Sequence, residues 1–270
     1  MKTNLIFDAH THFNDEMYEN LGITTAELIK AANHKGVGYF LNCSFDVKSS
    51  ILAIKQAQEH ANVFVAVGIH PNVVVEHNDQ DLITLESLVE DNKVVAIGEI
   101  GLDYFYTRED IAMQKIMFKK QLEIAIKHDL TIMLHIRDQK NEYQAYDDVI
   151  EILNTYPNKP NVIVHCFSAN KEYAQKFITL GCYINIGGAV TFKNAKELQE
   201  AAQWIPMEKI LVETDAPYLT PHPFRGEMNK PEMIVHTIEK IAQLKGLEKA
   251  FVIQSTTKNA FQAFMISTKK

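Results

Sequence analysis

Six of the histidine and acidic side chains in this sequence stand at positions from which they could hold divalent metal ions together. His10 and His12 are separated by one residue. On an extended chain alternate residues point the same way, so two imidazoles can aim at one ion. Glu99 lies in Gly98-Glu99-Ile100-Gly101, His135 and His165 each end an apolar run, and Asp215 follows Glu213-Thr214. Six donors exceed what one tetrahedral Zn²⁺ takes, whereas two ions about 3.5–4 Å apart, sharing one carboxylate, use them all. Glu99 is the natural bridge, because its two oxygens can face one ion each. His10, His12 and Asp215 then complete one site and His135 and His165 the other, with water in the shared position. Mixed imidazole and carboxylate ligation suits Zn²⁺, Mn²⁺, Co²⁺ or Ni²⁺, while Mg²⁺ prefers oxygen and more water; the choice among these metals is open.

Donors this far apart in sequence need a scaffold that gathers them. Short Val/Ile-rich runs occur at residues 5–9, 38–43, 63–68, 94–100, 131–135, 162–165, 182–186 and 210–214. Between them, stretches such as 24–35, 47–60, 108–128 and 171–179 repeat apolar residues at three and four, the helical period. Continuous apolar strands separated by helices imply a parallel sheet covered on both faces. Eight such units fit an α/β (β/α)8 TIM barrel better than an open doubly wound sheet of five or six strands. In such a barrel the carboxyl ends of all strands open on one face, and each of the six donors sits at such an end. Residues 231–264 read as two closing helices joined near Gly246. No linker or change in composition divides the chain, so one domain over residues 1–270 is expected.

Composition sets the outer limits. The chain is 46% hydrophobic and 23% charged, an ordinary globular balance that excludes disordered and collagen-like classes. No apolar run is long enough to span a bilayer, and the N-terminus lacks a secretory pattern, so a cytoplasmic protein without membrane association is expected. Cys43, Cys166 and Cys182 are odd in number and far apart, which reads as free thiols rather than a zinc knuckle. The net charge of −7 gives no overall basic field to attract nucleic acid. Positive charge for a polyanionic substrate must therefore be local, and metal ions would supply it.

Several motifs taken together resemble the TatD family of metal-dependent DNases. They are Asp8-x-His10-x-His12; Gly98-Glu99-Ile100-Gly101-Leu102-Asp103-Tyr104; His135-Ile136-Arg137-Asp138; His165-Cys166-Phe167-Ser168; and Glu213-Thr214-Asp215-Ala216-Pro217-Tyr218-Leu219, followed by Arg225-Gly226 and Asn229. The resemblance runs in order through nearly the whole chain. It implies a barrel hydrolase of the amidohydrolase superfamily, with nuclease activity on DNA 3′ ends and metal-ligand roles at the six positions named above. Related barrels often bridge their metals with a carbamylated lysine on the fourth strand, where this chain has Glu99. Ala169 and Lys230 depart from the family pattern, in loops that bear on substrate preference.

Further residues near these strand ends are expected to touch substrate. Arg225 follows the eighth strand in a proline-rich loop and would pair with a phosphate, or else tie the loop to an acid such as Glu213. Asp103 and the aromatic residues Tyr104, Phe105 and Tyr106 follow Glu99. Their rings could stack on an unpaired base or pack under the loop, and Asp103 could instead orient a histidine or cap a helix. His70 could reach substrate or pack in its loop. Arg137 and Asp138 could orient ligands. Asp215 is the candidate to orient the attacking water and take its proton, with Glu99 beside it. No Ser or Cys nucleophile is needed. The substrate expected is nucleic acid, DNA or else RNA ends, with no obligate protein partner. An amide or ester hydrolase on the same site, such as an aminoacyl-tRNA deacylase, is the alternative enzyme, and a non-enzymatic metal-binding adaptor the alternative of another class.

Overall fold

The computed structural model describes residues 4–106 and 108–267. The N-terminal residues 1–3, part of the leader reading above, lie outside this range. Eight strands, all parallel, run in the order β1 to β8 around the sheet. They are β1 (Ile6–Thr11), β2 (Val37–Cys43), β3 (Val63–Val67), β4 (Val94–Asp103), β5 (Thr131–Arg137), β6 (Val162–Val164), β7 (Tyr183–Ile186) and β8 (Ile210–Val212). Among the described residues ten α-helices surround them: α1 (Glu16–Asn20), α2 (Thr25–His34), α3 (Val47–Gln58), α4 (Asp79–Leu88), α5 (Ile111–Lys127), α6 (Gln144–Asn154), α7 (Lys171–Thr179), α8 (Lys196–Trp204), α9 (Ile234–Lys245) and α10 (Lys249–Ala263). The fold is a TIM barrel, and its seam closes at the carboxyl end. There Asp215 N–H donates to His10 O at 2.9 Å and His12 N–H to Ala216 O at 2.8 Å.

Local sequence explains where the helices begin. Thr24, Asp46 and Asn78 each close a capping box with the residue three positions on, satisfying amide groups that the first turn leaves free. The α9–α10 junction turns at Gly246, whose φ of 65° is left-handed and costs a glycine little. Apolar residues pack in two layers. A large cluster fills the space between strands and helices, and a smaller one, including Phe7, Leu41, Met133 and Leu211, fills the barrel and takes in Phe261 of α10 and Phe264 just after it.

Two strands depart from regular pairing where the metal-capable residues lie. On β4 the chain advances from Ile97 to Ile100 while its partner advances only from Ile132 to Leu134, so one extra residue is accommodated around Gly98 and Glu99. On β1 the step from Asp8 to Thr11 faces Phe40 to Asn42, placing an extra residue around Ala9 and His10. Such bulges re-aim side chains at barrel rims. Gly101 allows β4 and β5 to approach closely, since a Cβ there would lie 2.0 Å from His135 O.

Candidate metal centre

The barrel mouth brings all six sequence-predicted donors together. His10 Nε2, His12 Nε2, Glu99 Oε1 and Asp215 Oδ1 form one group. The distance from His10 to His12 is 3.2 Å, from His10 to Glu99 3.3 Å and to Asp215 3.5 Å, and from His12 to Glu99 3.4 Å and to Asp215 3.3 Å. Ligands about 2.0–2.1 Å from a tetrahedral ion are separated by about 3.3–3.4 Å, so these five separations are close to those around such an ion, and His10, His12 and Glu99 could hold one. The second group joins Glu99 Oε2 to His165 Nε2 at 2.8 Å and to His135 Nδ1 at 3.4 Å, with 3.1 Å between the two imidazole nitrogens. The two oxygens of Glu99 thus face different histidine pairs. The halves also touch directly, because the His10 and His165 rings stack with centroids 4.0 Å apart and planes 8° from parallel.

The far nitrogens of these rings set their orientation. His12 Nδ1 donates to Cys43 O at 3.0 Å and His135 Nε2 to Asp103 Oδ2 at 3.0 Å, which leaves the opposite nitrogen of each ring free to face the centre. His10 Nδ1 lies 3.3 Å from Cys43 Sγ. Asp8 ties the first strand to the loop after β8, accepting the Thr214 hydroxyl at 2.6 Å and the Thr214 N–H at 2.9 Å. Asp215 itself has a left-handed φ of 56°, a conformation that Asp tolerates better than most residues.

Burial and neighbouring charge oppose each other throughout the centre. Burial works against the charged form of His12, yet the Asp215 and Glu99 carboxylates raise it to about 9. Burial, with His165 beside it, lowers His10. Glu99 is buried, and His165 and His10 nevertheless hold its carboxyl well below the usual range. Burial pushes Asp8 up to about 8. Four imidazoles and two carboxylates packed this closely are a cation-binding donor set of the type transition metals take.

The chain matches the family described as TatD related DNase over residues 7–265. It belongs to the TatD family. YabD of Bacillus subtilis, named an uncharacterized metal-dependent hydrolase, is 35% identical over 264 residues, covering 97% of this chain and 100% of that protein. MG009 of Mycoplasma genitalium, which carries the same description, is 39% identical over 269 residues, covering 96% of this chain and 98% of that protein. The solved structure of the TatD homologue YjjV from Escherichia coli superposes with a TM-score of 0.89 at 26% identity, covering 98% of this chain and 100% of that one. This chain is accordingly a metal-dependent hydrolase of the TatD family.

The remaining candidates of this TatD-family chain divide between the readings the sequence left open. Tyr104 is 1% exposed and its hydroxyl donates to Asp148 at 2.8 Å, so it has no ring face open to a base. The expectation that it stacks on substrate is corrected: β4 continues to Asp103 and turns Tyr104 under the loop. Asp103 is also fully buried and is not a substrate contact; it holds His135 and accepts from Asn72 Nδ2 at 3.2 Å. His70 does reach the mouth, its ring centroid 4.2 Å from that of His135. Its Nδ1 accepts from Asn72 N–H at 3.1 Å, and burial, with His135 adding to it, pushes the ring down to about 3. A neutral ring that accepts at Nδ1 carries its proton on Nε2.

Arg137 and Asp138 are engaged away from the ligands. The Arg137 guanidinium lies 3.9 Å over Phe105 and donates to Tyr106 OH at 3.1 Å, while Asp138 accepts Ala145 N–H at 2.6 Å. Arg225 is not tied to Glu213. Glu213 is fully buried, accepts Cys166 N–H at 2.7 Å and has its other oxygen 3.8 Å from His165 Nδ1. Sequence reasoning also missed Tyr218, whose ring meets that of His12 edge-on at 6.0 Å and whose hydroxyl donates to Asp15 at 2.6 Å. Its place three residues after Asp215 was the available signal.

Proposed function

We propose that this chain hydrolyses phosphodiester bonds in nucleic acid, as a deoxyribonuclease working from the 3′ end of single-stranded or frayed DNA, and that it uses two divalent ions. The observation that carries the reading is the placement of Glu99, with one oxygen toward His10 and His12 and the other toward His135 and His165. His10, His12, Glu99 and Asp215 would hold one ion and Glu99, His135 and His165 the other. When bound, divalent ions supply Lewis acidity, lowering the pKa of a water and neutralising charge on phosphate oxygens. Zn²⁺, Mn²⁺, Co²⁺, Ni²⁺ and Mg²⁺ are all candidates.

The chain's own groups then divide the work. Asp215, at the rim of the first group, orients the attacking water and takes its proton. Asp103 and Cys43 O keep His135 and His12 in the rotation and tautomer that face the centre. His70 presents an Nε2–H donor to a non-bridging or leaving oxygen of the substrate. The name of the matching family supports a nucleic-acid substrate, and three free thiols support a reducing, cytoplasmic location. No helix among the described residues is long and apolar enough to cross a membrane.

The test is incubation of purified protein with 3′-labelled single-stranded DNA across Mg²⁺, Mn²⁺ and Zn²⁺, with aminoacyl-tRNA and acylated sugars in parallel. Stepwise loss of 3′ nucleotides is expected. Acyl cleavage without DNA cleavage under any of these metals would transfer the assignment to the amide or ester reading.

A further inference from the structure

Arginine is scarce in this chain, with three residues, and one of them is neutralised: Arg108 pairs with Asp138 and Glu142. Arg225 forms no ion pair among the described residues. It stands in the loop after β8, on the same face as the metal centre, and helps to line a cavity of about 370 Å³ with Phe192, Lys193, Asn194 and His222.

The cavity is built from two loops held in register. His222 N–H donates to Thr191 Oγ1 at 2.8 Å, and the loop after β8 packs so closely on Gly188 that a Cβ there would lie 2.5 Å from Leu219 O. The Arg225 guanidinium carbon sits 3.9 Å over the Phe192 ring. Stacking engages the face of the guanidinium and leaves its N–H groups, which lie in the plane, free to pair two at a time with an anion. Lys193 adds a point charge, and Asn194 and His222 add hydrogen-bonding groups. Among the described residues no carboxylate lines the cavity, although the whole chain carries a net charge of −7. An exposed guanidinium held flat on a ring, with a lysine and two further hydrogen-bonding side chains beside it, suits a phosphate better than a neutral or cationic ligand.

We propose that this cavity is a phosphate subsite for the substrate strand, holding a phosphate other than the one being cleaved. The enzyme then prefers a polynucleotide chain over an isolated phosphodiester. This inference rests on the nuclease reading for its choice of strand, but its test does not depend on cleavage.

The experiment measures binding of a fluorescent single-stranded oligothymidylate by anisotropy, in chelator, to the wild-type chain and to Arg225→Ala, Arg225→Lys and Lys193→Ala. Hydrolysis of the same oligomer and of bis(p-nitrophenyl) phosphate, a diester with one phosphate, is measured with metal. Melting temperatures of the variants, checked first, are expected to match wild type, because these side chains are on the surface. Arg225→Ala is expected to weaken oligomer binding about tenfold, with Arg225→Lys between it and wild type, and to reduce the dependence of log K on log salt by about 0.7, the value for one single-strand phosphate contact. The ratio of kcat/KM for oligomer over small diester should fall about tenfold, mainly through KM.

A change in oligomer binding below twofold, or equal losses on both substrates, would overturn the subsite. So would inorganic phosphate competing as strongly as the oligomer at matched ionic strength, since the cavity would then be a free-anion site. If the wild type cleaves no phosphodiester, the nuclease reading fails on its own, and Arg225-dependent binding of the oligomer still decides the cavity.

Discussion

Neutralising Glu99 disturbs both halves of the centre, because its two oxygens face different pairs of imidazoles. In Glu99→Gln one oxygen becomes an N–H donor aimed at nitrogens that must themselves act as donors to metal. We expect a folded protein whose kcat/KM falls by about a hundred- to a thousandfold, in line with losses when groups that stabilise developing charge are removed. Activity within tenfold of wild type, measured with saturating metal, would remove Glu99 from the mechanism. Asp103→Asn tests the next layer out. It keeps the shape but replaces the acceptor that holds His135 Nε2–H, and a supporting partner of this type is worth about 10–100-fold in metal affinity. Competition against a chromophoric chelator measures this, and unchanged affinity would mean that Asp103 does not orient the ligand. The six donors were legible in the sequence because each follows an apolar run, and parallel strands bring their carboxyl ends together. For Tyr104 and Asp103 the sequence left two roles open, because which way a residue faces past Glu99 depends on how far β4 continues and on its bulge.

Among the elements, α5 does something its sequence pattern hides. Gln114 and Gln121 lie seven positions apart on one face of the helix and each grips a strand end by two hydrogen bonds. Gln114 accepts from Asp103 N–H at 2.9 Å and donates to Asp103 O at 3.0 Å; Gln121 accepts from Ile69 N–H at 2.7 Å and donates to Ile69 O at 3.0 Å. The helix thereby fixes the segments that carry His70 and Asp103. A glutamine in an amphipathic pattern reads as a solvated position, and nothing in periodicity shows it turned inward. Gln121→Leu leaves two buried backbone groups without partners, at about 1–3 kcal/mol each. Thermal unfolding should therefore shift down by roughly 5–15 °C, given about 2–4 °C per kcal/mol in a chain somewhat shorter than this one. A shift under about 2 °C would show that the Ile69 groups find other partners.

At the scale of the whole molecule, the barrel was readable because eight apolar runs alternate with helical stretches, and its seam explains why residues as distant as His10 and Asp215 meet. The closing bonds from Asp215 N–H to His10 O and from His12 N–H to Ala216 O belong both to the sheet and to the geometry of the site. Folding and metal binding should then be thermodynamically linked. Metal at about a hundred times its Kd stabilises the folded state by about 2.7 kcal/mol, so adding Zn²⁺ or Mn²⁺ to chelator-treated protein should raise the melting temperature by roughly 5–10 °C. No shift with any of the candidate ions would contradict a centre formed by the native fold.

The most direct measurement is anomalous diffraction from crystals grown in Mn²⁺ or Zn²⁺. Two peaks about 3.5–4 Å apart, one on each side of the Glu99 carboxylate and bounded by the four histidines and Asp215, are the predicted result. A single peak, or peaks that do not involve Glu99, would contradict the two-ion centre on which the mechanism depends.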